Sequence, residues 1–133
     1  PEEAKDELRG VMAEGVGVTR NEFGLSQALK RLEEMKDKIA DRVKVEGSGL
    51  LQNYSVASYL ELENMLDVAR LIVSSARMRE ESLGAHYRED YPNIENPDKR
   101  KCIELMNDKG KVKVGRRNAD MSELRPGEVE NGE

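Results

Sequence analysis

The run from Tyr59 to Ala76 constrains the fold more than any other part of this chain. Tyr59, Leu62, Leu66, Ala69, Val73 and Ala76 recur at spacings of three and four, the period of one helical face. Leu60, Met65, Val68 and Ile72 widen that arc, and Asn53 or Ser55 can cap the helix. A helix apolar on more than one side touches more than one neighbour, so this one is expected at the centre of its domain.

Two partners precede it. Pro1-Glu2-Glu3 followed by Ala4, Leu8, Val11 and Met12 reads as a first helix, with acidic residues near its positive end and Gly15-Val16-Gly17 at its close. Thr19-Arg20-Asn21-Glu22 offers a cap for a second, whose stripe is Leu25, Ala28, Leu29, Leu32, Met35, Ile39 and Val43; Gly24 weakens its first turn. Glu46-Gly47-Ser48-Gly49 is a break. Short connections favour antiparallel neighbours. Only 37% of the 133 residues are hydrophobic and 37% are charged, so the core is a thin aliphatic seam. That balance suits packed helices better than a sandwich or barrel.

After Pro92 the pattern changes. Asn96-Pro97-Asp98 reads as a turn, and Lys101–Met106 and Lys111–Val114 flank Asn107-Asp108-Lys109-Gly110 as a hairpin with a four-residue loop. That loop sets Met106 opposite Lys111, Leu105 opposite Val112, Glu104 opposite Lys113 and Ile103 opposite Val114. The apolar face so formed should dock on the bundle or on another domain, because an isolated hairpin is marginal in water. From Asn118 onward the chain is acidic and poor in apolar residues. The expected fold is mainly α: an antiparallel three-helix bundle (spectrin-repeat-like) followed by a small β-hairpin and a flexible acidic tail. Residues 1–117 form the folded unit and 118–133 the tail.

The residues carry little chemistry of their own. A net charge of −5 argues against general nucleic-acid binding. Lys99 to Arg117 places eight basic residues against three acidic ones over positions 98–117, but no aromatics interleave for base stacking. Cys102 is alone, so there is neither a disulfide framework nor a cysteine metal site. Glu33-Glu34, Glu61 with Glu63 and Glu80-Glu81 read as solvated helix faces, and Ser82 lacks a base at readable spacing. No apolar run approaches ~18 residues, and no glycine pattern cradles a phosphate. A chain that opens on Pro1 and enters a helix at once reads as a domain cut from a longer protein.

The densest polar stretch is Arg79 to Pro92, where the lone His86 follows Gly84 and stands beside Tyr87 and Tyr91. A helix stop needs a glycine and little else; the surplus suggests a surface that fits against something. For His86, a structural or interface hydrogen bond is expected over catalysis.

Glu81-Ser82-Leu83-Gly84-Ala85-His86, with Arg88 and Asp90 after it, resembles a signature near the C-terminus of succinate dehydrogenase and fumarate reductase flavoprotein subunits. There it reads roughly Glu-Ser-Arg-Gly-Ala-His with Arg-x-Asp shortly after; Leu83 stands where that family carries arginine. Val16-Gly17-Val18-Thr19-Arg20 with Leu25, and Leu60 to Ala69, are similar to the family's second- and third-helix segments, in order from about residue 2 to residue 117. L-aspartate oxidase shares this domain, but Ala85 followed by His86-Tyr87-Arg88-Glu89-Asp90-Tyr91-Pro92 favours the dehydrogenase.

The resemblance implies a FAD-dependent parent enzyme that interconverts succinate and fumarate. Its FAD-binding and capping domains lie N-terminal to this piece and hold the flavin, the dicarboxylate site and the proton-transfer arginine. No catalytic, cofactor-binding or metal residue is therefore assigned here, and FAD belongs to the parent, not to this fragment. Ser82, Gly84, His86, Tyr87, Arg88 and Asp90 are assigned to a domain or subunit interface. The implied partners are the FAD-binding and capping domains of the same chain and an iron–sulfur subunit, without nucleic acid or membrane insertion. The implied location is cytoplasmic, peripheral on the inner face of the cell membrane. Two readings of other classes stand beside it: a free-standing helical adaptor, and a nucleic-acid module built on the hairpin. Oxidation against reduction is set by the electron acceptor and redox partners.

Overall fold

The computed structural model describes residues 1–46, 54–93 and 101–120. Its elements are α1 (Glu2–Val16), β1 (Thr19–Arg20), α2 (Glu22–Glu46), α3 (Tyr54–Met78), β2 (Tyr87–Arg88), β3 (Lys101–Asp108) and β4 (Lys111–Asn118). The chain is thus mainly helical, with one small antiparallel hairpin. The Gly47–Gly49 break, the Asn53 cap, the Asn96–Asp98 turn and tail residues 121–133 lie outside the described residues, as does the side chain of Val43.

The periodic stripes become the core. Leu8, Val11 and Val16 of α1 meet Leu25, Ala28, Leu32, Met35 and Ile39 of α2 and Tyr59, Leu62, Leu66, Ala69, Val73 and Ala76 of α3 in one buried cluster. Leu25, Leu32, Leu62, Leu66 and Val73 are fully shielded from water. Ion pairs tie the helices at their margins: Lys5 to Glu61 at 2.8 Å between α1 and α3, Arg31 to Glu14 at 3.1 Å between α1 and α2, and Lys36 to Asp67 between α2 and α3. Among the described residues no helix is long and apolar enough to cross a membrane.

Gly24 has a purpose that helix propensity alone does not reveal. It faces Gly15 where α1 leaves and α2 begins: a Cβ on Gly15 would meet the Gly24 carbonyl oxygen at 2.9 Å and the Ala28 Cβ at 2.7 Å. The two glycines let the helix ends approach more closely than side chains would permit. Asn21 caps α2 as its sequence suggests, its Oδ1 accepting the Gly24 N–H at 2.8 Å.

The hairpin differs from its sequence reading in register. Leu105 lies opposite Val114, Met106 opposite Lys113, Glu104 opposite Gly115, Ile103 opposite Arg116 and Asp108 opposite Lys111, around a two-residue loop. Lys109 and Gly110 both have positive φ, 52° and 83°, which a type I′ turn requires and whose twist matches the strands. Asn107 Oδ1 accepts the Gly110 N–H at 2.9 Å and steadies the turn. A slip of two residues keeps every side chain on its face, so Ile103, Leu105, Val112 and Val114 still share one side. The expected Glu104–Lys113 pair is replaced by diagonal pairs, Glu104 with Arg117 and Asp108 with Lys113. The apolar side lies over α3 with Leu29, Leu71 and Ser74, leaving a space of about 550 Å³ between them.

Leu66 lies at the middle of the core seam. Leu66→Ala is expected to cost on the order of 2–5 kcal/mol in a denaturant melt; a change below about 0.5 kcal/mol, the surface range, would mean the seam is misassigned.

Candidate functional site

Three helix ends converge at one corner of the fold: the C-terminus of α1, the N-terminus of α2 and the C-terminus of α3. Helix C-termini present unpaired carbonyls and a partial negative charge, and N-termini the reverse. The segment 82–91 supplies the complementary groups. It is held by parallel pairing of β1 with β2, Thr19 beside Tyr87 and Arg20 beside Arg88, a feature the sequence pattern does not announce.

α3 stops at Met78, well before Gly84, and an arginine caps it instead of a glycine. Arg88 is 1% exposed, and each of its donors finds an acceptor. Nη1 donates to the carbonyls of Arg77 at 2.7 Å and Arg79 at 3.4 Å. Nε donates to Asp90 Oδ1 at 2.9 Å, while Nη2 reaches Asp90 Oδ2 and Glu22 Oε2. The guanidinium also lies 4.7 Å from the centre of the Tyr91 ring. Asp90 then turns to α2, where its Oδ2 accepts the Glu22 N–H at 3.0 Å. One bidentate pair therefore joins the negative end of α3 to the positive end of α2.

Arg20 does the same for α1. Its Nε donates to the carbonyls of Val16 at 3.2 Å and Gly17 at 3.0 Å, and its Nη1 lies 2.7 Å from His86 Nδ1. Arginine has only donors, so Nδ1 must accept; His86 is then neutral with its proton on Nε2, which donates to the Arg79 carbonyl at 3.2 Å. Burial holds the His86 pKa below its ordinary value; the bond to Arg79 opposes this, and the charges of Arg20, Arg79 and Arg88 add to it. The Arg88 fork likewise holds the Asp90 carboxyl below its usual range, against partial burial. For Glu22, burial pulls upward but hydrogen bonds from Arg77 and Ser26 outweigh it.

Ser82 and Gly84 shape the turn. The buried Ser82 hydroxyl donates to the Tyr91 carbonyl at 2.8 Å and accepts the Arg88 N–H at 3.0 Å. Leu83 and His86 exchange backbone bonds of 2.8 and 3.0 Å around Gly84, whose φ of +58° favours glycine. Leu83, half-buried, forms an isolated antiparallel bridge with His86.

The six expected interface residues are thus together, but they divide. Ser82 and Arg88 are buried within the chain, His86 is half-buried, and Tyr87 opens to solvent. Around Tyr87 the same corner exposes Val18, Phe23 and Tyr91, at 86%, 76% and 39%. Val18 and Phe23 are not among the residues that the sequence pattern singles out. Phe23, the single phenylalanine, falls off the α2 stripe, and that is the available signal. The imidazole is bonded to Arg20 and to the Arg79 carbonyl, with no carboxylate against its ring among the described residues, and it borders an open space of about 430 Å³ shared with Arg20, Ile72, Ile103 and Leu105.

Removing the fork should be costly. Arg88→Met strands the α3 carbonyls and two carboxylates, and a loss on the order of 3 kcal/mol is expected on thermal or chemical unfolding. Arg88→Lys should recover little, since an ammonium cannot supply five directed donors; full recovery would show that charge alone matters.

The depressed His86 pKa also fixes a pH dependence. Below its ordinary value of about 6.5 the unfolded chain takes up a proton that the folded chain refuses. Stability should therefore be complete above pH 6.5 and fall as the pH drops through the folded pKa. His86→Gln should flatten the melting curve in that window while leaving the deeper acid limb of Asp90 and Glu22; an unchanged slope would rule out His86 as its source.

Comparison with known proteins gives the family of this chain. The family described as Fumarate reductase flavoprotein C-term matches residues 5–131. An uncharacterised FAD-dependent oxidoreductase of Methanocaldococcus jannaschii is 49% identical over 87 residues, covering 65% of this chain and 15% of that protein. A fumarate reductase (CoM/CoB) polypeptide of Methanothermobacter marburgensis is 40% identical over 103 residues, covering 77% of this chain and 18% of that one. L-aspartate oxidases match as well. Among solved structures, E. coli quinol fumarate reductase FrdA superposes with a TM-score of 0.79 at 25% identity, over 94% of this chain and 22% of that one. The chain thus spans less than a quarter of the length of these relatives, and it belongs to the family of C-terminal domains of fumarate reductase and succinate dehydrogenase flavoproteins.

Proposed function

We propose that the chain is the non-catalytic C-terminal domain of a FAD-dependent flavoprotein subunit that interconverts succinate and fumarate. Its folded unit, an antiparallel three-helix bundle with its hairpin, helps to seat the flavin domain and the iron–sulfur subunit. FAD, the dicarboxylate site and the acid–base arginine belong to the rest of that protein. The whole assembly is cytoplasmic and peripheral on the inner membrane face through its partner subunits.

One observation carries the reading. The side chains of His86, Arg88 and Asp90 are spent on helix ends and on one another, while Val18, Phe23 and Tyr87, beside those ends in sequence or pairing, stay exposed. Polar capping of this kind fixes the patch; exposed aromatics are what interfaces use as anchors. Ser82, Gly84, His86, Arg88 and Asp90 serve as its scaffold and Tyr87 as a contact. An L-aspartate oxidase parent would use the same scaffold, and the His86–Pro92 run favours the dehydrogenase.

The test uses the full-length flavoprotein with its iron–sulfur subunit. Phe23→Ala with Tyr87→Ala should leave folding within about 0.5 kcal/mol, as surface changes do, and weaken docking between subunits or domains by roughly tenfold or more. His86→Gln should keep both limbs of the pH–rate profile. Loss of about 10²–10⁴ in turnover with docking intact would make His86 an acid–base residue and end this reading.

A further inference from the structure

We infer that the Arg20–His86 bond is a pH latch on the Tyr87 corner: protonation of His86 unclamps β1 from β2 and frees the corner from the surface it docks on. This rests on the reading of the corner as a docking surface, and adds the condition under which that surface is presented.

Geometry makes the latch selective for one protonation state. Arg20 Nη1 lies 2.7 Å from His86 Nδ1, and His86 Nε2 lies 3.2 Å from the Arg79 carbonyl. A guanidinium offers no lone pair, so only an imidazole with Nδ1 bare completes both contacts. A second proton turns the first contact into two opposed N–H donors, each on a cation. Arg20 comes from β1, Arg79 from the segment after α3 and Arg88 from β2, and all three charges resist a positive ring. Toward the adjoining space α3 turns Ile72, Ser75 and Ala76 and the hairpin Ile103 and Leu105, none of which titrates there. The acids of the corner are committed elsewhere: Glu81 to Arg79, Asp90 to Arg88, Glu89 to Asn21, and Glu22 of α2 to Arg77 and Arg88. Among the described residues no carboxylate stands against the ring to welcome its proton.

The latch reaches the docking surface through two short strands. β1 and β2 pair at Thr19 with Tyr87 and Arg20 with Arg88, and the Glu89 N–H adds a bond of 2.8 Å to the Arg20 carbonyl. So short a ladder is marginal in water without side chains across it, and Arg20 with His86 is one such crossing. Val18 precedes Thr19 and Tyr87 follows His86, so each strand carries one exposed contact, at 86% and 44%. Opening the clamp lets these two move apart. The Arg88 fork does not use the imidazole, so the end of α3 stays capped and the opening is confined to the corner. Linkage makes the effect reciprocal: a surface that holds the corner closed also holds the proton off His86.

The experiment follows amide hydrogen exchange by peptide mass in the full-length flavoprotein assembled with its iron–sulfur subunit. The pH runs from about 7.5 to about 4.5, with the intrinsic exchange rates divided out. Protection of residues 17–23 and 82–91 should fall below the folded His86 pKa by up to about tenfold per pH unit, the limit for one proton. The Leu62–Val73 seam of α3 should keep its protection. His86→Gln, whose amide can accept from Arg20 and donate to the Arg79 carbonyl, should lose the dependence. His86→Lys, a permanent cation, should leave the corner open at every pH with the seam still protected. A corner that stays protected in His86→Lys, a slope that persists in His86→Gln, or a loss shared equally by the seam would each overturn the latch. Phe23→Ala with Tyr87→Ala separates the two ideas. If that pair leaves corner protection at neutral pH unchanged, the docking reading fails, while the slope with pH still reports on the latch.

Discussion

The guanidinium of Arg88 is the group around which this corner is organised. Burying a cation is expensive, and only full pairing makes it tolerable. Here two backbone carbonyls and two carboxylates meet all of its donors. Those acceptors come from the end of α3, the start of α2 and the loop between β2 and the following segment. The charge is thereby used where two helix dipoles already ask for it: cation at a C-terminus, anion at an N-terminus. Arg20 repeats the arrangement for α1, and Arg116 donates to the Met78 carbonyl from the hairpin. The C-terminal helix ends here are closed by arginine side chains, locally by Arg20 at α1 and from farther along the chain by Arg88 and Arg116 at α3.

His86 joins these two arginine systems. Its ring bridges Arg20 to the Arg79 carbonyl, which Arg88 also contacts. Such a bridge requires the neutral imidazole, so the group that looks most like a proton carrier is the one least free to act as one. What remains outward is apolar: Val18, Phe23 and Tyr87 at the corner, and the Leu60–Ile72 stripe along α3. The two surfaces differ in kind. The corner carries the aromatic residues Phe23 and Tyr87, whereas the stripe is aliphatic and borders the core.

Much of the architecture is legible in the sequence because apolar periodicity is a local signal. Leu62, Leu66, Ala69 and Val73 announce the buried face of α3, and each is buried. Asn21 announces a cap and provides one. The hairpin register is not legible, since Lys109 at positive φ has no sequence signature comparable to that of Gly110. Gly24 reads as a weak point because its partner, Gly15, lies across a helix–helix contact. At the corner, the crowding of Ser82, His86, Arg88 and Asp90 is visible, but not its direction. Arg88 pairs with Glu22 across 66 positions, and nothing local distinguishes a buried arginine from a solvated one.

The corner also settles a question that the apolar seam leaves open. A stripe of leucines, valines and alanines repeating every three or four residues would pack almost as well if α3 slid along its neighbours by one turn, about 5.4 Å. Hydrogen bonds to the Arg77 carbonyl and the Glu22 N–H tolerate only a few tenths of an ångström. The seam supplies cohesion and the arginine fork supplies axial registry, so the outward surfaces are held at one fixed height relative to one another.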